Sequence, residues 1–181
     1  MSEIMEKAKA ALDKKAPYGE DIDLSEYGKD VPDYGADPNL SQLSAEEKGH
    51  VLEVGIDVAK TDRTGSFFLK GHSPVHCTVA QDGVELMPIT EALEKYDGLE
   101  KYWWKAVDVG ADKYTAQAEM ALHSGFFLRV KAGTKACFPV QACLYLNEEG
   151  ISQNLHNLVI AEEGAEVHII TGCTTAPHLK K

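Results

Sequence analysis

The chain has 181 residues, 44% of them hydrophobic, and a formal net charge of −11 from 29 carboxylates against 18 Lys and Arg. That length and apolar content suffice for one packed domain with a small appendage, and the acidic balance excludes a surface built to grip a nucleic-acid backbone. No apolar run approaches the ~20 residues that a membrane-crossing helix needs, and the acidic start Met1-Ser-Glu-Ile-Met-Glu6 lacks the order of a signal peptide.

These features predict a cytoplasmic chain whose four cysteines are reduced. No C-x-x-C pair is present, so a zinc ribbon or thioredoxin-type site is not expected.

Residues 3–14 read as a short amphipathic helix, with Ile4, Ala8, Ala11 and Leu12 on one face and Pro17 preventing extension. Residues 16–42 carry Pro17, Gly19, Gly28, Pro32, Gly35 and Pro38 among many acids, and read as an irregular linker. Ser44-Ala-Glu-Glu47 is a capping box that opens a helix to about Ile56.

The period then changes. Ser66–Lys70 and Val75–Ala80 read as strands, and the Gln81-Asp82-Gly83-Val84 turn signal predicts a hairpin over Val75–Met87. Thr90–Tyr96 suits a helix capped by Thr90, and Asp112–His123 a longer one stopped by Gly125. From Phe126 onward the pattern is strand, Gly turn, strand, with turns at Lys131–Thr134, Asn147–Gly150 and Glu162–Ala165. Short strands with regular Gly turns fit a stacked β-solenoid or a sandwich, and the loose period does not choose between them. The expected organisation is helices over 1–60, including the acidic linker at 16–42, a mixed hairpin-and-helix part over 61–125, and a β core over 126–181.

Four segments in order carry a resemblance. They are Asp112-Lys-Tyr-Thr-Ala-Gln-Ala118, Ser124-Gly-Phe-Phe-Leu-Arg-Val-Lys-Ala-Gly133, the run from His156 to Ala165, and Gly172-Cys173-Thr174-Thr175-Ala176-Pro177. Arg63–Phe67 and residues 92–97 add to it. Here the sequence resembles the SufB/SufD family, the scaffold subunits of SUF iron–sulfur cluster assembly.

The resemblance implies a mostly-β α+β fold, with an N-terminal helical region followed by the first rungs of a right-handed parallel β-helix. It also implies a non-enzymatic scaffold role toward an iron–sulfur cluster, with a SufC-type ATPase and a second SufB/SufD-type subunit as partners. The ATPase-docking region has no counterpart in this sequence, nor do the family's late catalytic cysteine and its partner histidine. The chain is therefore expected to be the N-terminal portion of a longer protein. Only the Gly-Cys-Thr motif matches a functional position, so the resemblance implies Cys173 as a sulfur acceptor.

Two readings of Cys173 stand. An unbroken strand puts Ala165, Val167, Ile169, Thr171 and Cys173 on one face and turns the sulfur inward, as a protected transfer route requires. A buried structural thiol has the same pattern, and Gly172 is able to break the strand. Cys137 and Cys143 fall on the face opposite Phe138, Val140 and Leu144, roughly 20 Å apart in a straight strand, which forbids a shared disulfide or metal unless the chain bends near Pro139.

His72, His76 and Cys77 are metal-ligand types close in sequence, although the segment reads as loop into strand. His156 and His168 read as surface or ladder histidines. Trp103, Trp104, Tyr96 and Tyr102 read as a cluster packing the helical part onto the first rung.

Two other functions compete. A carbohydrate-active enzyme on a β-helix would use a groove of outward residues, here Arg129, Lys131, Lys135, Gln141, Glu166 and His168, which contain no carboxylate pair. A cupin-type metal or small-molecule module would use His72 and His76.

Overall fold

A computed structural model describes residues 2–54, 56–57 and 62–179. The chain forms α1 (Ser2–Lys9), α2 (Ala45–Glu53), β1 (Gly65–Lys70), β2 (Ser73–Val79), β3 (Val84–Pro88), α3 (Ile89–Lys95), α4 (Lys113–Met120), β4 (Phe126–Val130), β5 (Val140–Leu146), β6 (Leu158–Ala161) and β7 (Ile169–Thr175). Short 3-10 turns cover Leu24–Tyr27 and Leu99–Lys101.

Two small sheets organise these strands, one in the order β2-β1-β5-β7 and the other β3-β4-β6. Each is mixed. β1–β2 and β3–β4 are antiparallel, whereas β1–β5, β5–β7 and β4–β6 are parallel. This corrects the implied fold. The architecture is a mixed α/β one with two open sheets and four α-helices among the described residues, and no right-handed parallel β-helix is formed. The antiparallel ladders explain the difference, because β2 and β3 reverse direction beside β1 and β4 and take the places that parallel strands would occupy.

The hairpin also lies elsewhere than expected. It joins β1 and β2 through the turn at Gly71, whose φ of 56° favours glycine. The Gln81–Gly83 turn instead carries the chain from one sheet to the other, and Gln81 ties it down by accepting from Thr64 Oγ1 at 3.1 Å and donating to the Lys135 carbonyl at 2.8 Å.

Strand alternation separates two cores. On one face of the four-stranded sheet, Phe67, Leu69, Val140 and Ala142 meet Val84, Leu86, Phe126, Leu128 and Val130 of the other sheet. On its opposite face, Phe68, Cys143 and Tyr145 meet Leu40, Leu43, Val51 and Ile56. The capping box of α2 forms as expected, with Ser44 accepting from the Glu47 N–H and Glu47 from the Ser44 N–H.

Two helix expectations are corrected. α3 starts at Ile89 with no side-chain cap, and its first N–H donates to the Gly125 carbonyl at 2.9 Å. α4 ends at Met120, ahead of the expected His123, and the His123 N–H is taken by the Asn154 carbonyl at 2.9 Å. No described helix is long and apolar enough to cross a membrane.

Candidate functional site

β7 runs unbroken through Gly172 and pairs in parallel with β5, so Cys143 lies opposite Gly172 and Leu144 opposite Cys173. Paired residues share a face. Cys173 therefore sits on the side of the sheet that Val140, Ala142 and Leu144 present to the second sheet, together with the partly buried Ala165 and Val167. The strand begins only at Ile169, so the expected unbroken run from Ala165 is not formed, although Ile169, Thr171 and Cys173 do share a face. The expected burial is not found either: Cys173 is exposed, because β7 is the outermost strand of its sheet among the described residues.

Gly172 has its own reason to be glycine. A Cβ there would lie 3.1 Å from the Val54 carbonyl oxygen, so its absence lets the end of α2 lie against β7. The Gly-Cys pair thus holds a close backbone contact on one side and presents a thiol on the other.

The other cysteines divide by burial. Cys143 is fully buried, and burial with a smaller contribution from Cys173 pushes its thiol up to about 12. Cys77 donates to the Leu86 carbonyl at 3.5 Å, and burial followed by Glu91 pushes it up to about 12. Both stay protonated at neutral pH and are poor nucleophiles and metal ligands there. Cys137 is exposed just ahead of β5, its N–H donating to Gln81 Oε1 at 2.9 Å.

His72, His76 and Cys77 are not brought together. The His72 Nε2 bonds the Ser152 carbonyl at 2.7 Å, and the His76 Nδ1 bonds the Pro38 carbonyl at 2.6 Å. Among the described residues no cluster of three or more His, Cys, Asp or Glu side chains is arranged to hold a metal ion.

The aromatic cluster forms and has members that the sequence does not announce. Trp103 packs with Met87, Ile89, Leu99, Phe127 and Leu158. Glu119 Oε2 accepts from both indoles, Trp103 at 2.9 Å and Trp104 at 2.6 Å. His156 stacks on Trp103 with centroids 3.8 Å apart and meets Trp104 edge-on at 4.5 Å. Burial holds His156 below the usual imidazole range, partly offset by Glu119. No local spacing signals these contacts, since Glu119 and His156 approach from other elements.

Of the residues expected to point outward, Gln141 is buried. Arg129 pairs with Glu162 and Glu85, and Lys135 pairs with Glu166 at 2.7 Å.

Fold and site together define a mixed α/β chain that presents the Cys173 thiol on an open sheet. No protein-family model matches it. It is 40% identical over 181 residues, 97% of this chain, to an iron-sulfur cluster assembly SufBD family protein of Methanothermobacter thermautotrophicus. A protein of the same name from Archaeoglobus fulgidus is 40% identical over 131 residues, covering 72% of this chain and 35% of that one. For a Pyrococcus horikoshii SufBD family protein the values are 34% over 96 residues, 52% of this chain and 22% of that one. The chain belongs to the SufBD family. It spans 44% of the length of the Methanothermobacter relative, less than half of that protein.

Proposed function

We propose that this chain is the sulfur-receiving part of a cytoplasmic, non-enzymatic scaffold for iron–sulfur cluster assembly, with Cys173 as the acceptor. The observation that carries the reading is the exposed Cys173 on β7, within a sequence similar along almost its whole length to SufBD family proteins. The thiolate of Cys173 attacks the terminal sulfur of a donor persulfide. A new S–S bond forms on Cys173, the donor's S–S bond breaks, and the donor leaves as a thiolate, with no net oxidant.

The cluster is cargo in this reading, and its ligands are assigned outside this span. A SufC-type ATPase and a second SufB/SufD-type subunit complete the assembly in this reading. The groove-enzyme alternative gains nothing from the geometry, because Glu162 and Glu166 are committed to Arg129 and Lys135.

Anaerobic reconstitution with iron and sulfide tests the scaffold role. A form extended to the length of the relatives should take up both iron and sulfide, whereas this chain alone should take up neither and should gain sulfur only from a persulfide donor. An extended form that takes up neither contradicts the proposal.

A further inference from the structure

Three connecting segments meet at a pair of histidines that the proposed function does not use. His72, in the β1–β2 turn, and His123, between α4 and β4, stack with ring centroids 3.5 Å apart and planes 16° from parallel. The third segment links β5 to β6. It supplies the Ser152 carbonyl to the His72 Nε2 at 2.7 Å and the Asn154 N–H to the His123 Nδ1 at 3.1 Å. Around them, the Gln153 Nε2 donates to the Gly71 carbonyl at 2.6 Å, and the His156 N–H donates to the Ser124 carbonyl at 3.1 Å.

These partners fix the protons. A carbonyl only accepts, so the His72 Nε2 carries hydrogen, and a further proton on His72 would leave that bond intact. A backbone N–H only donates, so the His123 Nδ1 must be bare and the ring neutral. Protonating Nδ1 would turn the Asn154 contact into donor against donor.

The groups facing His123 offer no compensation. From the β1–β2 turn it meets His72, a potential like charge. From the β5–β6 segment it meets the Asn154 amide, and His156 beyond that is engaged with Trp103, Trp104 and Glu119. The closed state also leaves Ser124 Oγ and Asn154 Nδ2 buried without a hydrogen-bond partner among the described residues, and opening would return both to water.

We infer that the His72–His123 stack is an acid-released clasp, in which protonation of His123 frees the α4–β4 connection from the segment between β5 and β6. Burial and His72 both hold His123 below the ordinary 6.5, in agreement with this geometry. A group whose folded pKa is depressed stabilises the closed form fully above its unfolded pKa. It loses that contribution as pH falls toward the folded value.

Native-state hydrogen exchange of the whole chain, read at the Asn154 and His156 amides from pH 8 to pH 5, tests the clasp. After correction for intrinsic rates, the local opening constant should rise about tenfold per pH unit below about 6.5, the slope of one proton taken up on opening. In His123→Asn, whose side-chain oxygen replaces the Nδ1 acceptor without titrating, the rise should be much smaller, keeping only what His156 contributes. A flat wild-type profile, or an equal rise in His123→Asn, overturns the inference. Imidazole nitrogen shifts of the wild type give a readout that needs no variant: a bare His123 Nδ1 at pH 7.5 supports the clasp, and a protonated one refutes it.

Discussion

At the scale of single residues, burial sorts the four cysteines by what each is able to do. Cys77 and Cys143 are held protonated by their surroundings, whereas Cys137 and Cys173 are exposed. Alkylation of the native protein at neutral pH, mapped by mass spectrometry, should modify Cys137 and Cys173 and spare the other two until the protein is unfolded. Glu119 is a second residue whose role rests on geometry. Glu119→Ala leaves the Trp103 and Trp104 indole N–H groups without their shared acceptor, at a cost of about 1–3 kcal/mol in urea unfolding, and Glu119→Gln should recover most of the loss because it still accepts.

Among the elements, what the sequence predicts well is what depends on neighbours in the chain. The α2 capping box is complete within four residues, and it forms. Ser44→Ala should lower stability by about 1 kcal/mol in the same assay. What it predicts poorly depends on segments far away.

Asp82-Gly83 does turn the chain, yet β2 and β3 join different sheets, because their partners are β1 and β4. α4 stops early because the β5–β6 segment captures the His123 N–H, and α3 begins on a carbonyl from Gly125. The face of Cys173 follows from alternation along β7, but its exposure follows from which strand lies outermost. Gly125 sits at φ 143°, and a Cβ there would collide with the His156 carbonyl. Gly125→Ala should therefore cost at least the ~1–3 kcal/mol of a strained backbone, seen as a lowered melting temperature.

For the whole molecule, the pH dependence has a predictable sign. His123 and His156 are both held below 6.5, chiefly by burial, so the unfolded chain binds more protons than the folded one as pH drops. Stability should be fully present above about pH 6.5 and should decline below it, with a lower urea midpoint at pH 5.5 than at pH 7.5 and an unchanged slope. A second decline belongs to more acidic pH, where Asp21, Asp108 and Glu162 lose the lysine and arginine partners that hold their carboxyls low.

The two open sheets and the exposed strand β7 connect this architecture to its proposed task, since a thiol at a sheet's outer edge is reachable by a sulfur donor. The most direct test is to incubate the chain anaerobically with a protein persulfide donor and map the products by peptide mass. The account predicts one added sulfur atom on Cys173, abolished in Cys173→Ala while Cys137 remains unmodified. Sulfur found on Cys137 in place of Cys173, or undiminished transfer to Cys173→Ala, would contradict it.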